Sequence, residues 1–267
     1  MEARHAPDTP ARWSSEEWQT RVDLAACYRL VAHFGMDDSI YTHISARVPG
    51  RHDHFLLNPL GLRFEEITAS SLVKIDMDGA LVEPTEHEVN AAGFTIHSAV
   101  HAARPDVFCV LHTHTEPGIA VSCLKEGLLP LNQWSLQFHN RIAYHDYEGI
   151  ALDLDERERL VADLGPLKVM ILRNHGLLTG GASIGEAFIL MYNLNRSCVT
   201  QLAAQATGAE LTIPSAAVCE KVAQQYEGSH ESVQRRQAFE KNEMTGEQRE
   251  WAAYMRLLDR VNPGYEA

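Results

Sequence analysis

The segment "VFCVLHTHTEPG", residues 107–118, places two histidines at the end of a short apolar run. A run of this kind is typical of a strand buried within a sheet, and Pro117 suits the first turn of a following helix. Because alternate residues of a strand face the same side, His112 and His114 would project side by side. Cys109 lies an odd number of residues from His112, so we expect it to face the other side, in the core.

Two histidines one residue apart are weak evidence on their own, because the chain has 14 histidines and a second such pair, His52 and His54. That second pair lies in the polar turn "PGRHDHF", where we expect solvated imidazoles. A third histidine strengthens the first pair, since His175 in "ILRNHGLLTGG" also follows an apolar strand. Three imidazoles at the ends of two buried strands match an open catalytic metal site. We expect one divalent metal per subunit, with zinc as the first choice and manganese, iron or cobalt as alternatives.

The composition is that of an acidic globular protein. The 267 residues include 36 acidic and 23 basic side chains, for a formal net charge of −13, and 45% of them are hydrophobic. This charge disfavours nucleic acid and anionic membranes as partners. No run of 18 apolar residues and no apolar signal region is visible, and the five cysteines are odd in number without a C-x-x-C pair. We therefore expect a cytoplasmic protein with reduced thiols.

The periodicity along the chain predicts helices mixed with strands. Helical patterns cover residues 14–35, 88–104, 116–124, 153–165 and 183–208, and strand patterns cover residues 40–49, 54–59, 106–115 and 168–181. Residues 65–82 read as a short helix, a strand and a hairpin turn at Asp78-Gly79, and residues 131–147 as a helix that leads into a strand. We expect a disordered N-terminus over residues 1–12, one α/β domain over residues 13–210 and a helical C-terminal extension over residues 211–267.

The segments "RPDVFCVLHTHTEPGIAVS" and "RNHGLLTGG" resemble the two signature segments of the class II aldolase/adducin family. The resemblance extends from about Trp18 to Gly208. It implies a three-layer α/β/α sandwich with a central, mainly antiparallel sheet, assembled as a homotetramer with sites at subunit interfaces. It also implies that His112, His114 and His175 are the metal ligands.

The chain departs from this family at other site positions. In the sugar-phosphate aldolases a glutamate on the helix before the H-x-H strand transfers the proton, and the matching position, nineteen residues before His112, is Gly93. The family's Gly-Asn-x-Ser phosphate segment is matched by "THIS", which puts His43 in place of the asparagine. The next phosphate loop is matched by "NPLG", with Asn58 and Gly61. We expect His43, Asn58, Gly61 and Gly93 to line the site of a substrate without phosphate.

Several side chains are candidates for the proton transfer that the missing glutamate would perform. His97 lies one turn beyond Gly93 on the same face of the predicted helix. The other candidates are His139, Tyr144 and His145, which flank or lie in the strand of "LQFHNRIAYHDY".

These observations favour a divalent-metal-dependent carbon–carbon lyase of the decarboxylase or aldolase type. We expect it to act on a small non-phosphorylated carbonyl or hydroxy acid through a metal-stabilised enolate. Decarboxylation fits a site without the glutamate, because it needs an electron sink but no base to break the C–C bond. Two alternatives stay open: a non-heme Fe(II) oxygenase that performs oxidative decarboxylation on the same scaffold, and an adducin-like protein that binds a metal or a partner without chemistry.

Overall fold

The structure is a computed structural model that describes residues 10, 12–89, 91–149, 155–231, 233 and 244–267. Most of the N-terminal segment predicted to be disordered, residues 1–9 and 11, lies outside this described part. The strands are β1 (His43–Arg47), β2 (His54–Leu57), β3 (Val73–Asp76), β4 (Cys109–Thr113), β5 (Ile142–His145), β6 (Val169–Leu172) and β7 (Gly176–Gly181). The helices are α1 (Ser15–His33), α2 (Ala91–Ala103), α3 (Glu116–Ser122), α4 (Gln133–Leu136), α5 (Glu156–Leu164), α6 (Ile184–Ala206), α7 (Ala216–Tyr226) and α8 (Gly246–Val261).

All seven strands form one sheet in the order β3-β2-β1-β4-β7-β6-β5. Each neighbouring pair is antiparallel except β5 and β6, which are parallel. The predicted α/β sandwich with a mainly antiparallel sheet is therefore confirmed. None of the helices in the described part of the chain is long and apolar enough to cross a membrane.

Helices cover both faces of the sheet. On one face, α1 and α6 pack on strand residues such as Ile44, Leu111 and Leu177, and Cys109 belongs to this core as its position on β4 predicts. On the other face, α2 and α5 pack on Val110, Met170 and Leu178 in a smaller cluster. Val110 and Leu111 are neighbours in β4 with opposite orientations, as the alternation of a strand requires.

The local signals in the sequence account for most helix boundaries. Ser14 caps α1 by accepting a hydrogen bond from Glu17 N, and Thr115 caps α3 in the same way through Gly118 N. The helix expected after residue 65 is instead a three-residue 3₁₀ turn, Phe64–Glu66. This segment is short because Phe64 is its only buried side chain, which leaves no apolar face to extend.

Several strands begin or end along one edge of the sheet, namely the edge that runs across the strands. Because neighbouring strands are antiparallel, the first residues of β1 and β7 lie at the same edge as the last residues of β2 and β4. His43 pairs with His112 across β1 and β4 at this edge, and the turn that carries His175 enters β7 here. β5 also ends here with His145, opposite Leu172 of β6.

Candidate metal centre

Three histidines from two strand ends converge at this edge. The Nε2 atom of His114 lies 2.9 Å from Nε2 of His112 and 2.9 Å from Nε2 of His175. One ring nitrogen from each of the three residues lies within 4.8 Å of the others. Two nitrogens that share one zinc ion at about 2.0–2.1 Å each are at most about 4.2 Å apart. Both 2.9 Å separations fit a shared cation, and the third pair, within 4.8 Å, needs to close by less than about 1 Å when a cation binds. The structure thus brings together the three residues that the sequence predicts as ligands.

The hydrogen bonds made by Nδ1 fix the tautomers of His112 and His114. Nδ1 of His112 donates to the Leu177 carbonyl at 2.9 Å, and Nδ1 of His114 donates to Oδ2 of Asp38 at 3.0 Å. When Nδ1 carries the only ring proton of a neutral imidazole, Nε2 has a free lone pair. Lone pairs only 2.9 Å apart repel unless a cation lies between them, so the donor set fits a divalent metal.

Gly176 makes room for the two histidines of β4. A Cβ at this position would lie 2.4 Å from the Thr113 carbonyl oxygen, 3.2 Å from Cδ2 of His114 and 3.4 Å from Cε1 of His112. The preceding turn is tight, because Leu172 pairs with Gly176 and Asn174 adopts φ 55°. A residue with a side chain at position 176 would push β7 away from the metal centre.

Burial favours the neutral form of His112 and His175. His112 is 1% exposed, and burial, then the neighbouring His175, His114 and His43, hold its pKa well below 6.5. Burial, followed by His114 and His145, lowers the pKa of His175 to about 4. Neutral imidazole is the form that binds a metal, so His112 and His175 are in their ligand form at neutral pH.

From the lowered pKa values of the buried histidines we predict a steep loss of folding stability in mild acid. Their pKa values lie below 6.5 in the folded chain and return to about 6.5 on unfolding, so the unfolded chain binds more protons between these values. Stability is therefore fully present above about pH 6.5 and falls as the pH approaches the folded pKa values, by up to about 1.4 kcal/mol per pH unit for each histidine. The groups concerned are His43, His97, His101, His112 and His175.

Guanidinium unfolding of the metal-free protein at pH 7.0 and pH 5.5 measures this effect. We expect a clearly lower free energy of unfolding at pH 5.5, and a smaller difference in His101→Gln, which removes one such group. The control is His52→Ala, which removes an exposed imidazole and should leave the difference unchanged. Equal stability of the wild-type protein at the two pH values would contradict the expectation.

Asp38 is a site residue that the sequence did not reveal. It lies in the loop after α1, and its carboxylate holds His114 at 3.0 Å. The two residues are 76 positions apart in the sequence, which leaves no spacing signal, so only the folded chain shows the pair. A carboxylate that accepts from the second nitrogen of a ligand histidine orients the ring and raises its basicity.

Asp38→Asn is expected to weaken zinc binding by about 10-fold to 100-fold, because the ring of His114 loses its charged acceptor. Competition with a chromophoric chelator measures the affinity. The neighbouring Asp37→Asn serves as the control, since Asp37 instead lies 3.8 Å from Arg63. Equal affinities of the two variants would mean that Asp38 does not support the metal.

A row of polar side chains runs beneath α2 from the metal centre into the core. Nδ1 of His43 lies 3.0 Å from Nε2 of His97, and Nδ1 of His97 lies 2.6 Å from Oγ of Ser45. The same Oγ lies 2.7 Å from Nε2 of His101. The ring of His43 in turn lies 5.5 Å from that of His112, centroid to centroid. We call His43, His97, Ser45 and His101 the histidine row; it places His97 behind His43 rather than against the metal ligands.

The other predicted substrate-binding residues lie near the same edge. Asn58 follows β2, is fully buried and accepts a hydrogen bond from the Tyr28 hydroxyl at 2.8 Å, while its Nδ2 has no partner among the described residues. Gly61 is exposed in the following loop with φ 94°. Gly93 lies in the first turn of α2, one turn before His97. Thr42 has φ 66°, which a β-branched residue rarely adopts, and its buried hydroxyl has no partner within the described part of the chain.

The remaining candidates for proton transfer lie at different distances from the metal centre. His145 reaches this edge, but its two nitrogens face carboxylates, Asp163 at 2.7 Å and Glu156 at 3.4 Å. Tyr144 points to the opposite face of the sheet, where its hydroxyl accepts from Leu128 N at 3.1 Å. His139 lies before the start of β5, at the far edge. Neither Tyr144 nor His139 is placed to transfer a proton at the metal centre.

Comparison with known proteins identifies the family. Residues 22–202 match the Class II Aldolase and Adducin N-terminal domain. A Pseudomonas aeruginosa protein named as a member of aldolase class 2 is 54% identical over 259 residues, which cover 97% of this chain and 96% of that protein. Alpha-adducin of Rattus norvegicus is 49% identical over 185 residues, which cover 68% of this chain and 25% of that protein. The solved L-fuculose 1-phosphate aldolase from Glaciozyma antarctica has a TM-score of 0.77 at 28% identity, over 97% of both chains.

The chain belongs to the class II aldolase/adducin family. Members with aldolase activity generally use a divalent metal, and the cluster of His112, His114 and His175 is a set of residues that can hold one.

Proposed function

We propose that the protein is a divalent-metal-dependent carbon–carbon lyase for a small carbonyl or hydroxy acid without phosphate. The observation that carries the proposal is the convergence of His112, His114 and His175 at the sheet edge, with His114 anchored by Asp38. When bound, the cation would polarise a carbonyl oxygen and stabilise negative charge on it. The fold has no structural need for three imidazoles that meet at strand ends, which supports a functional role.

The residues around the metal ligands favour decarboxylation over cleavage of a phosphosugar. Gly93 supplies no carboxylate at the position where the family's aldolases have their base, and His43 replaces the asparagine of their phosphate segment. The rim carries two exposed aromatic side chains, Tyr147, whose ring lies 6.2 Å from that of His175, and Tyr41, which is 58% exposed. These two rings offer apolar contact area and hydroxyl groups beside the site.

Zinc is the metal that we propose, because three imidazoles suit it well, although manganese, iron and cobalt also accept them. A homotetramer and a cytoplasmic location complete the proposal. The location is supported by the cysteines, since Cys27, Cys109, Cys123, Cys198 and Cys219 are all free thiols.

Two other functions are kept because specific observations favour them. Three histidines also suit Fe(II), which supports an oxygenase that oxidatively decarboxylates its substrate. The 49% identity to alpha-adducin supports a protein that binds metal or a partner without chemistry.

A carbon dioxide release assay on a panel of 2-oxo and hydroxy acids tests the proposal. The protein is stripped of metal, reconstituted with zinc, manganese, cobalt or Fe(II), and assayed with and without oxygen, while aldehyde and ketone products are followed in parallel. Metal-dependent product formation without oxygen is the expected result. A strict need for oxygen would favour the oxygenase, and no product from any metal form would favour the adducin-like function.

A further inference from the structure

The pairing of β1 with β2 stops before it reaches the edge that carries the metal ligands. Val48 N donates to the His54 carbonyl at 3.1 Å, which marks a hydrogen-bonded pair of the two strands. Such pairs recur every two residues in an antiparallel ladder, so Ile44 and Asn58 would form the second pair after it. Both residues lie in the described part of the chain, and their backbones make no hydrogen bond with each other.

The hydroxyl of Tyr28 occupies the place of this pair. Its Oη accepts from Ile44 N at 2.8 Å and from Asn58 N at 3.0 Å. Its O–H faces two acceptors, the Ile44 carbonyl oxygen and, at 2.8 Å, Oδ1 of Asn58. All three residues are fully buried, so each N–H needs an acceptor within the protein. A direct pair would provide those acceptors without the phenol, so what the phenol adds is the separation of the two strands.

Tyr28 also holds the far end of the loop that follows β2. Its ring packs edge-on against the ring of Phe64, with the centroids 4.6 Å apart. The side chain therefore contacts Asn58 and Phe64, which are the two ends of the loop that carries Gly61. One rigid side chain from α1 thus fixes where this loop leaves β2 and where it returns to the core.

Between its two ends the loop turns away from β1. Pro59 forms a bridge with Val89, and Leu60 N donates to the Glu88 carbonyl at 2.9 Å. On the other strand, Thr42 precedes β1 with φ 66°, a left-handed conformation that does not continue a strand. The ends of β1 and β2 therefore diverge at the edge where the metal ligands lie.

We propose that Tyr28 is a positioning residue that keeps the ends of β1 and β2 apart and so leaves room for an organic acid beside the metal. The proposal rests on the proposed function for the presence of a substrate, and it adds the residue that shapes the site. His43, the first residue of β1, pairs with His112, and their rings lie 5.5 Å apart. A β2 end that paired with Ile44 would bring the following loop against this part of β1 and narrow the approach to the metal.

The variant Tyr28→Phe tests the geometry, because it keeps the ring on Phe64 and removes only the hydroxyl. The two N–H groups then lose their buried acceptor, and a direct pair between Ile44 and Asn58 is the least costly replacement. We expect a crystal structure of the variant to show this pair, with the start of the loop moved toward β1. An unchanged separation of the two residues would overturn the proposal.

The wild-type protein gives a measurement that does not need the variant to fold. The phenol proton of Tyr28 should exchange slowly with water in proton NMR. It should show nuclear Overhauser effects to the amide protons of both Ile44 and Asn58. Absence of contact with either amide would mean that the hydroxyl does not separate the strands.

Binding of azide and of pyruvate to the cobalt-substituted protein tests the room beside the metal. Azide needs little more than one open position on the ion, whereas pyruvate also needs space for its carbon chain, and the visible spectrum of cobalt follows both. In Tyr28→Phe pyruvate binding should weaken by about 10-fold, and azide binding should change by less than about 2-fold. Cobalt content is measured in each sample and should be unchanged.

Tyr265→Phe is the matched control for this experiment. Tyr265 is also fully buried, but its hydroxyl donates to Asp259 in α8 and not to a strand. This variant loses one buried phenol bond and should bind both ligands as the wild type does. The role of Tyr28 would be refuted by equal weakening of azide and pyruvate in Tyr28→Phe, by equal effects of the two tyrosine variants, or by a wild type that does not bind pyruvate.

None of these measurements needs turnover, so their failure differs from failure of the lyase function. If no acid is converted but Tyr28→Phe selectively loses pyruvate binding, only the proposed chemistry falls. If an acid is converted but the two strands keep their separation in Tyr28→Phe, only the role of Tyr28 falls.

Discussion

Replacing His114 by alanine is expected to reduce the zinc content from about one ion per chain to a small fraction of that. His114 is the central member of the cluster, because its Nε2 lies 2.9 Å from both other ligand nitrogens. Its removal leaves two histidines, which is fewer than the three protein ligands of a catalytic zinc site. Metal analysis of protein purified without chelator and dialysed against buffer measures the effect.

The chain provides a matched control for this variant. His52 belongs to the other pair of histidines one residue apart, and its side chain is exposed in a polar turn. His52→Ala should therefore retain the full zinc content and the wild-type melting temperature. Equal zinc content in His52→Ala and His114→Ala would place the metal elsewhere.

Gly176→Ala is expected to lower the free energy of unfolding by about 1–3 kcal/mol and to reduce zinc affinity. The added Cβ meets the Thr113 carbonyl at 2.4 Å, and this backbone atom cannot move without shifting β4. A shift of β4 moves His112 and His114 relative to His175. Chemical unfolding of the metal-free form and zinc titration of the same variant measure the two effects separately.

The control for this substitution is Gly246→Ala in the first turn of α8. A Cβ at Gly246 meets nothing within 4 Å, so this variant should be as stable as the wild type or slightly more stable. Wild-type stability and zinc affinity in Gly176→Ala would show that the spacing of β4 and β7 is not what places the ligands.

The sequence predicts those parts of the fold that patterns over a few neighbouring residues determine. The apolar run before His112 predicts β4, and the turn at Asn174 predicts the β6–β7 hairpin. The alternation of a strand places His112 and His114 together without knowledge of the rest of the chain. The apolar strand before His175 adds a third histidine, the family resemblance implies that all three are ligands, and the structure brings them to one edge.

The parts that the sequence leaves open depend on contacts between distant segments. Asp38 meets His114 only because the loop after α1 folds over the end of β4. The histidine row has a partial signal, since His97 and His101 share a helix face and His43 and Ser45 share a strand face. Nothing in these spacings shows that the two faces meet.

The position of Tyr144 away from the metal centre also has a physical reason. Tyr144 and His145 are adjacent on β5, so only one of them can face the metal side of the sheet. The structure assigns that side to His145 and packs Tyr144 under the guanidinium of Arg173, whose central carbon lies 4.1 Å from the ring centroid. Which of the two faces the metal side depends on the orientation of β5 in the sheet, and the sequence alone does not give that orientation.

Titration of the metal-free protein with zinc, in which bound metal and conversion of a small organic acid are followed in the same samples, tests the central claim most directly. We predict that binding and turnover rise together and both reach their limit at about one zinc ion per chain. Turnover by the metal-free protein, or turnover that does not follow the occupancy of the site formed by His112, His114 and His175, would contradict it.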